Sequence, residues 1–524
     1  MVPTSRHSSV FRNEHGAFDL PSVLIGVAVV AILAVGVMAL IFGAVPWAQN
    51  RAAAQDLAAL TTAQGTAKTK DGTYADRTLM SQLGYLSGSV DIAVAADGSC
   101  WVGVTQAKSG KHFYTVNGSA PAELTRDTRP GCLDGIKYDK IAVGSGGGCA
   151  VSNKSLYCWG GNKSGEVGDG TKDTAVRPVR VGGALTGKDV ADIYAGVNHR
   201  CATDTGGILY CWGSNMSGEV GDGTRNLRYS PVAVGGPLAG KKVSAVGFTS
   251  ATTCAVSEQK LYCWGDGVGI SEATLGNAAQ TAQSNLPVLV NGGALAGVAV
   301  KSVDLGASHA CALSVGGSAY CWGYGIDGQV GNGSGATSNP LPVAANMGRV
   351  AGGRLDQLAS GGNTNCGVGG GKLYCWGFGR QGQTGSGELY AITRPSPIEG
   401  SALDSKNLIR ITAGNGQACA GDDGGGWTCW GMNAEGNLGT GRTDAVLYPA
   451  AFTSPGTGPW PQELSVGTYI SCALNAGTAY CAGQNTLAGL GDGTAADSST
   501  FVRVLEPAGR KTWVDAVLDD GKLP

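Results

Sequence analysis

Two cysteines nine or ten residues apart recur seven times in the chain. The first of each pair are Cys149, Cys201, Cys254, Cys311, Cys366, Cys419 and Cys472, and the second are Cys158, Cys211, Cys263, Cys321, Cys375, Cys429 and Cys481. Successive copies start 52 to 57 residues apart. Six of the second cysteines are followed by Trp-Gly, at Trp159, Trp212, Trp264, Trp322, Trp376 and Trp430; the seventh is followed by Ala482-Gly483. A period this regular belongs to an array of supersecondary units that share one core. It replaces the several ordinary domains that 524 residues would otherwise suggest.

Each unit follows one pattern. A short apolar run ends in small residues, as in Asp192-Ile193-Tyr194-Ala195-Gly196. The first cysteine, a polar turn such as Asn153-Lys154-Ser155, and Leu-Tyr-Cys-Trp-Gly come next. Two alternating runs across a turn read as a hairpin. A glycine-rich turn, Asn-x-x-Gly-Glu-Val-Gly-Asp-Gly, leads into a Pro-containing run such as Arg177-Pro178-Val179-Arg180-Val181. Four short strands per unit make a propeller blade, and seven units lie within the usual range of about four to eight. The 88 glycines, with no collagen period, fit many strands joined by tight turns.

The joined Trp-Gly and Asn-x-x-Gly-x-x-Gly signature at 160–168, 213–221 and 431–439 resembles the repeat of the RCC1 (regulator of chromosome condensation) family. Residues 323–331 and 377–385 match with Gln in the polar position; the third copy is irregular over 266–277, and the seventh keeps Gly489-Leu490-Gly491-Asp492-Gly493. The resemblance implies an all-β, seven-bladed propeller over 136–524. An eighth copy of the first run, 511–517, or else 138–143, is expected to lock the ring, because an open edge invites association.

Cysteines on the two arms of one hairpin face each other closely enough to bridge. Seven such pairs, with Cys100–Cys132 near the N-terminal third, account for all sixteen cysteines. Each hairpin loop is short, so a bridge stabilises its own blade by about 2.5–3 kcal/mol at most. That many disulfides imply an oxidising compartment. The Trp after each second cysteine is expected to pack between blades.

Ahead of the repeats, residues 20–47 carry no charge, long enough as a helix to span a bilayer. Pro46 is expected to kink or interrupt that helix near its outer end. The junction Gly16-Ala17-Phe18-Asp19-Leu20-Pro21 resembles the leader junction of type IV prepilins. The resemblance implies a leader over 1–16, cleavage by a prepilin peptidase between Gly16 and Ala17, a pilin-like transmembrane helix over 17–60 and a small α+β head over 61–135. Leu57, Leu60 and Ala63 fall on one helical face, and strand-like runs follow at 89–105 and 111–116. The fifth mature position, where the family carries Glu, is Pro21. This argues against a major filament subunit.

A net charge of −2 without a basic block excludes nucleic acid as an expected partner. His199 and His309 hold one place in two separate copies and are read as structural; no metal or cofactor set emerges. Asp169, Asp222 and Asp492 suit Asp-Gly turns, and Asp422-Asp423 and Asp519-Asp520 read as solvated tips. No catalytic residues stand out, so the chain is read as a non-enzyme. What varies between copies is the loop before each first cysteine, at Asn198, Phe248, Ser308, Asn363, Asn415 and Tyr469. Aromatic and amide side chains on one rigid rim suit protein or glycan binding. The expectation is therefore a membrane-anchored extracellular binding protein, a minor pilin or adhesin-like tip subunit. Its expected partners are the membrane, the prepilin peptidase, other pilin subunits and an extracellular protein or glycan. The alternative is a propeller enzyme or enzyme inhibitor.

Overall fold

The computed structural model describes residues 45–71, 77–82, 90–94, 101–116, 119–124, 136–267, 275–336, 338–400, 402–452, 454, 461–507 and 517–518. The leader junction at Gly16 and Ala17, most of the apolar run, and Cys100 and Cys132 lie outside them. The chain forms two compact units, one of Met1–Gly135 with Lys511–Pro524 and one of Ile136–Arg510.

In the first unit a helix, Val45–Asp71, packs on a four-stranded antiparallel sheet. Pro46 lies within this helix, at the first residues described. Ala53, Leu57, Leu60 and Ala63 make one buried face, with Ile92, Trp101 and Met80 beneath it. Gly103 lets the helix approach: a Cβ there would fall 2.5 Å from Leu60 Cδ2. The run read as one strand over 89–105 is two, Val90–Val94 and Trp101–Gln106, paired antiparallel; His112–Val116 and Ala122–Glu123 complete the sheet. Among the described residues no helix is long and apolar enough to cross a membrane.

The second unit holds seven four-stranded sheets, each built from four consecutive strands. Blade 2, for example, runs Val190–Ala195, His199–Asp204, Leu209–Gly213 and Arg228–Ala233. The first strands stand side by side around the ring, from Lys140–Val143 in blade 1 to Glu463–Val466 in blade 7, and the last meets the first. The apolar core lies between blades. One cluster joins blades 1 and 2 from Val151 and Leu156 to Trp212; another joins blades 7 and 1 from Ile470 and Leu490 to Trp159.

Among the described residues the ring closes without the lock strand expected from the sequence. Lys140–Val143 pairs within its own blade, with Gly147–Ser152. Residue 517, from the other expected candidate, belongs to the first unit: Val517 is fully buried against Val102, Val104 and Leu124. Closure uses the contacts made at the other seams. Trp159 donates to Gly489 O at 2.9 Å, and Tyr138 N–H donates to Gly477 O at 2.8 Å. The first strand of blade 1 would otherwise present bare N–H groups, and blade 7 caps them. Ile141 N–H donates to Glu463 Oε2 and Val143 N–H to Ser465 Oγ, both at 3.1 Å.

Each disulfide joins directly paired residues of the second and third strands, with Cα atoms 4.0–4.1 Å apart: Cys149–Cys158, Cys201–Cys211, Cys254–Cys263, Cys311–Cys321, Cys366–Cys375, Cys419–Cys429 and Cys472–Cys481. The Trp that follows reaches back to the glycine-rich turn of the preceding blade. Trp212 donates to Glu166 O, Trp264 to Glu219 O, Trp376 to Gln329 O and Trp430 to Gln383 O, at 2.7–3.0 Å. The indole lies on the turn's last glycine; a Cβ on Gly221, itself at φ +76°, would fall 2.5 Å from Trp264 Nε1. Blade 7 has Ala482 in the Trp position, and Phe501 from its fourth strand takes the place over Gly439. Phe501 also meets Phe452 edge-on at 5.2 Å.

Candidate functional site

The polar residues of the repeat signature are used up in holding its turns. Asn162 accepts from Val167 N–H and donates to Asp173 O, and Asn215, Asn433 and Asn485 make the corresponding Oδ1 bond. Glu166 and Glu219 accept backbone N–H groups two residues back. Asp169, Asp222 and Asp492 accept from the Thr two residues on. Asp422, read as a solvated tip, instead caps its loop through Gly426 N–H at 2.8 Å and pairs with Lys406 at 2.9 Å. Among the described residues no group of three or more His, Cys, Asp or Glu is placed to hold a metal.

The two histidines sit inside the ring, both 0 % exposed. His199 of blade 2 meets Thr253 of blade 3 at 2.8 Å. Thr253 sends its own hydrogen to Glu219 O, so Nε2 of His199 carries the proton. His309 of blade 4 donates through Nε2 to Asn365 Oδ1 of blade 5 at 2.8 Å, and Asn365 donates to Gln329 O. Burial drives both imidazoles towards the neutral form, to about 3 for His199, with Arg200 adding repulsion, and about 4 for His309. They are bolts between blades.

The non-repeating side chains converge elsewhere. Where the first strands end, all seven blades line a cavity of about 570 Å³ at the mouth of the central channel. Phe248, Asn415 and Tyr469, all picked out in the sequence, line it, and Tyr469 is 41 % exposed. Asn198, Ser308 and Asn363 do not line it. Their carbonyls accept the N–H of Ser214, Tyr324 and Phe378 and so fix the exit of the third strand.

The wall is narrow because glycine recurs at one level. A Cβ on Gly361 would fall 1.8 Å from Gly414 O, one on Gly414 2.0 Å from Gly467 O, and one on Gly467 2.1 Å from Gly144 O. Blade 3 departs: Thr249 stands there, its hydroxyl accepting from Ala251 and Thr252 N–H. Beside it Phe248 meets His199 edge-on at 5.0 Å.

Inspection of the loops in the sequence missed the layer beneath, formed by Tyr194, Asp304, Thr412 and Ser465 from the strands themselves. Asp304 is the only formal charge among the described residues lining the mouth. Its carboxylate accepts Ser360 N–H of blade 5 at 3.0 Å and Leu305 N–H at 2.9 Å. Burial nevertheless pushes it up to about 7. The signal was present: aligned on the first cysteines, that column reads Ala142, Tyr194, Gly247, Asp304, Ala359, Thr412 and Ser465, with one acid.

Comparisons with known proteins agree with this architecture. The family description Regulator of chromosome condensation (RCC1) repeat matches residues 154–203 and 300–329. Human E3 ubiquitin-protein ligase HERC2 is 29 % identical over 302 residues, which are 56 % of this chain but 6 % of HERC2. The Ultraviolet-B receptor UVR8 of Arabidopsis thaliana is 25 % identical over 370 residues, 70 % of this chain and 81 % of UVR8. Among solved structures, Prp20p of Saccharomyces cerevisiae superposes with a TM-score of 0.57 at 21 % identity, over 71 % of this chain and 88 % of that one. Human WBSCR16 gives 0.55 at 21 %, over 66 % and 87 %. The seven blades, their Trp-to-turn bolts and these matches identify Ile136–Arg510 as an RCC1-repeat β-propeller domain.

Proposed function

We propose that the chain is an extracellular binding protein, a minor pilin or adhesin-like tip subunit that presents its propeller to a protein or glycan. The observation that carries the reading is the channel mouth. Seven stapled hairpins hold rigid a concave surface whose side chains differ from blade to blade, Phe248, Asn415 and Tyr469 among them. Rigid scaffolds with variable, aromatic-bearing loops suit recognition. Seven disulfides fit an oxidising location outside the cytoplasm. The membrane part rests on the uncharged run at 20–47 and the Gly16-Ala17 junction, and an amphipathic helix laid on a small antiparallel sheet is the head such a junction calls for. A shared repeat does not carry function across, so the activities in the relatives' names stay with those proteins.

Two measurements test the reading. Mass spectrometry of the mature chain, from cells with and without prepilin peptidase, should find Ala17 as the N-terminus only in the first; an uncut Met1 chain in both ends the pilin part. Cells displaying the full chain should adhere to their target surface, and Phe248→Ala with Tyr469→Ala should lower adhesion at least tenfold. Unchanged adhesion ends the binding part.

A further inference from the structure

The ligand class inferred for the channel mouth rests on the binding reading and narrows it. Along blades 6, 7 and 1 three loops meet there, and their glycines touch. A Cβ on Gly414 would fall 2.0 Å from Gly467 O, and one on Gly467 2.1 Å from Gly144 O. Gln417 clamps the middle loop, donating to Gly467 O at 2.6 Å and Thr468 O at 3.3 Å. The residues that follow these glycines are therefore set side by side: Asn415, Thr468 and Ser145, with Tyr469 after Thr468. All four line the cavity, and Asn415 and Tyr469 are exposed. Among the described residues neither the Asn415 amide nor the hydroxyls of Thr468 and Tyr469 are engaged in a hydrogen bond. Phe248 is packed edge-on against His199 of blade 2, whereas the Tyr469 ring is 41 % exposed.

Charge narrows the ligand. Among the described residues no Lys, Arg or His lines the mouth, and its one carboxylate, Asp304, is turned to Ser360 N–H of blade 5. A charged ligand would leave water and meet no free counter-charge. The inner edges of the first strands are also taken in blades 1, 5 and 6. Glu463 and Ser465 cap Ile141 and Val143 N–H, Asp304 caps Ser360 N–H, and Gln357 caps Ile411 N–H. An extended peptide finds no free edge to lengthen there. The row from Asn415 to Ser145 offers a carbonyl that accepts, an amide that donates twice and hydroxyls that do both, beside an open aromatic face. A sugar ring carries the complement. Its C–H face, drawn positive by the ring and hydroxyl oxygens, lies on the electron-rich face of a tyrosine, and its neighbouring hydroxyls each donate and accept. The cavity of about 570 Å³ lies within the range of about 300–1,000 Å³ usual for small-ligand sites. We propose that the mouth holds an uncharged sugar unit of a glycan, stacked on Tyr469 and hydrogen-bonded by the Asn415 amide and the Thr468 hydroxyl.

The test uses the full chain, purified oxidised, on a printed array of disaccharides of glucose, galactose, mannose and N-acetylglucosamine. Beside each hexose-terminated probe stands its uronic-acid counterpart, which differs only in a carboxylate at C6. A subset of the neutral probes should bind, and the added carboxylate should weaken them by about tenfold or more. With the best neutral probe, isothermal titration should show Tyr469→Ala and Asn415→Ala each weaker by about tenfold, and Tyr469→Phe, which keeps the ring, close to the unsubstituted chain. Ser308→Ala, in a loop residue that does not line the cavity, should change nothing. Unchanged melting temperatures in the same variants separate lost binding from misfolding. No bound neutral probe, equal binding of the uronic acids, or an unchanged affinity in both Tyr469→Ala and Asn415→Ala overturns the proposal. Adhesion that falls in the Phe248 and Tyr469 double variant while no disaccharide binds assigns the mouth to a protein partner: the sugar is overturned and the binding reading stands. Disaccharide binding with adhesion unchanged does the reverse.

Discussion

The even-numbered and odd-numbered blades are built differently. In blades 1, 3, 5 and 7 the bridged cysteines are nine apart, and in blades 2, 4 and 6 ten. The odd hairpins close through two residues at positive φ, Asn153-Lys154, Glu258-Gln259, Gly370-Gly371 and Ala476-Gly477. This is the tight turn whose twist matches the strands. The even hairpins are longer and are closed by a side chain: Asp204 accepts Ile208 N–H, Ser314 accepts Ser318 N–H and Asp422 accepts Gly426 N–H, at 2.8–3.0 Å. At the other end of the second strand the even blades carry His199, His309 and Gln417, which bond forward to blades 3, 5 and 7. The odd blades have Gly147, Thr252, Thr364 and Ile470 there, and the two threonines bond within their own blade, to Asp266 O and Phe378 O. The ring is thus three bolted pairs and one single blade. Seven is odd, so blades 7 and 1 meet as like neighbours without a bond of this kind, and that seam keeps the contacts it shares with others, through Glu463, Ser465, Tyr138 and Trp159.

The contrast can be broken experimentally. Removing an indole common to both blade types sets the scale. Trp264→Ala should lose about 3–5 kcal/mol, as large aromatic truncations do, and Phe501→Ala, in the one blade without that Trp, should also be destabilising; denaturant midpoints compare them. If Phe501→Ala leaves the midpoint unchanged, the substitution of ring for indole is not the compensation described.

Acid should attack the even blades first. His199 and His309 are depressed in the fold to about 3 and about 4, so the folded chain binds fewer protons than the unfolded one below pH 6.5. Their contribution is present above 6.5 and is lost as pH falls towards 4. Asp304, raised to about 7, runs the other way: it favours the fold as pH falls over the same window. The two imidazoles together outweigh the one carboxylate, so their joint effect is a loss of stability between pH 6.5 and 4. Melting temperature against pH should flatten in His199→Gln with His309→Gln and steepen in Asp304→Asn. At constant pH, His309→Leu should cost about 1 kcal/mol by removing one donor to the buried Asn365 Oδ1, which keeps the Ser360 hydroxyl, and Thr252→Val in odd blade 3 less. The smallest effect should be in the turns. Lys154→Gly relieves a left-handed residue, φ +62°, and should stabilise by under about 1 kcal/mol. Asp422→Ala removes an even-blade cap and should destabilise by about 1 kcal/mol.

The hairpins, their bridges and the Trp seams were legible because each rests on short-range spacing repeated in phase. The alternation was visible as nine against ten, but its meaning needed the turn geometry. The ring closure misled because 511–517 copies the first strand's pattern, while the burial of Val517 is settled by contacts more than four hundred residues back, at Val102 and Val104. Half of the chosen rim residues missed the mouth because loop position alone does not say which way a loop faces. Asp304 was missed because it lies in a strand, where an isolated acid reads as surface.

The burial of Val517 has a consequence for biosynthesis. A chain made and exported from its N-terminus would bring out Val102, Val104 and Leu124 early, yet their last packing partner only after all seven blades have passed. The head's small core would stay unfinished throughout that time, exposed to proteases and chaperones, while the propeller oxidises and closes. Truncation near the C-terminus should therefore be felt first in the N-terminal head rather than in the blade beside it.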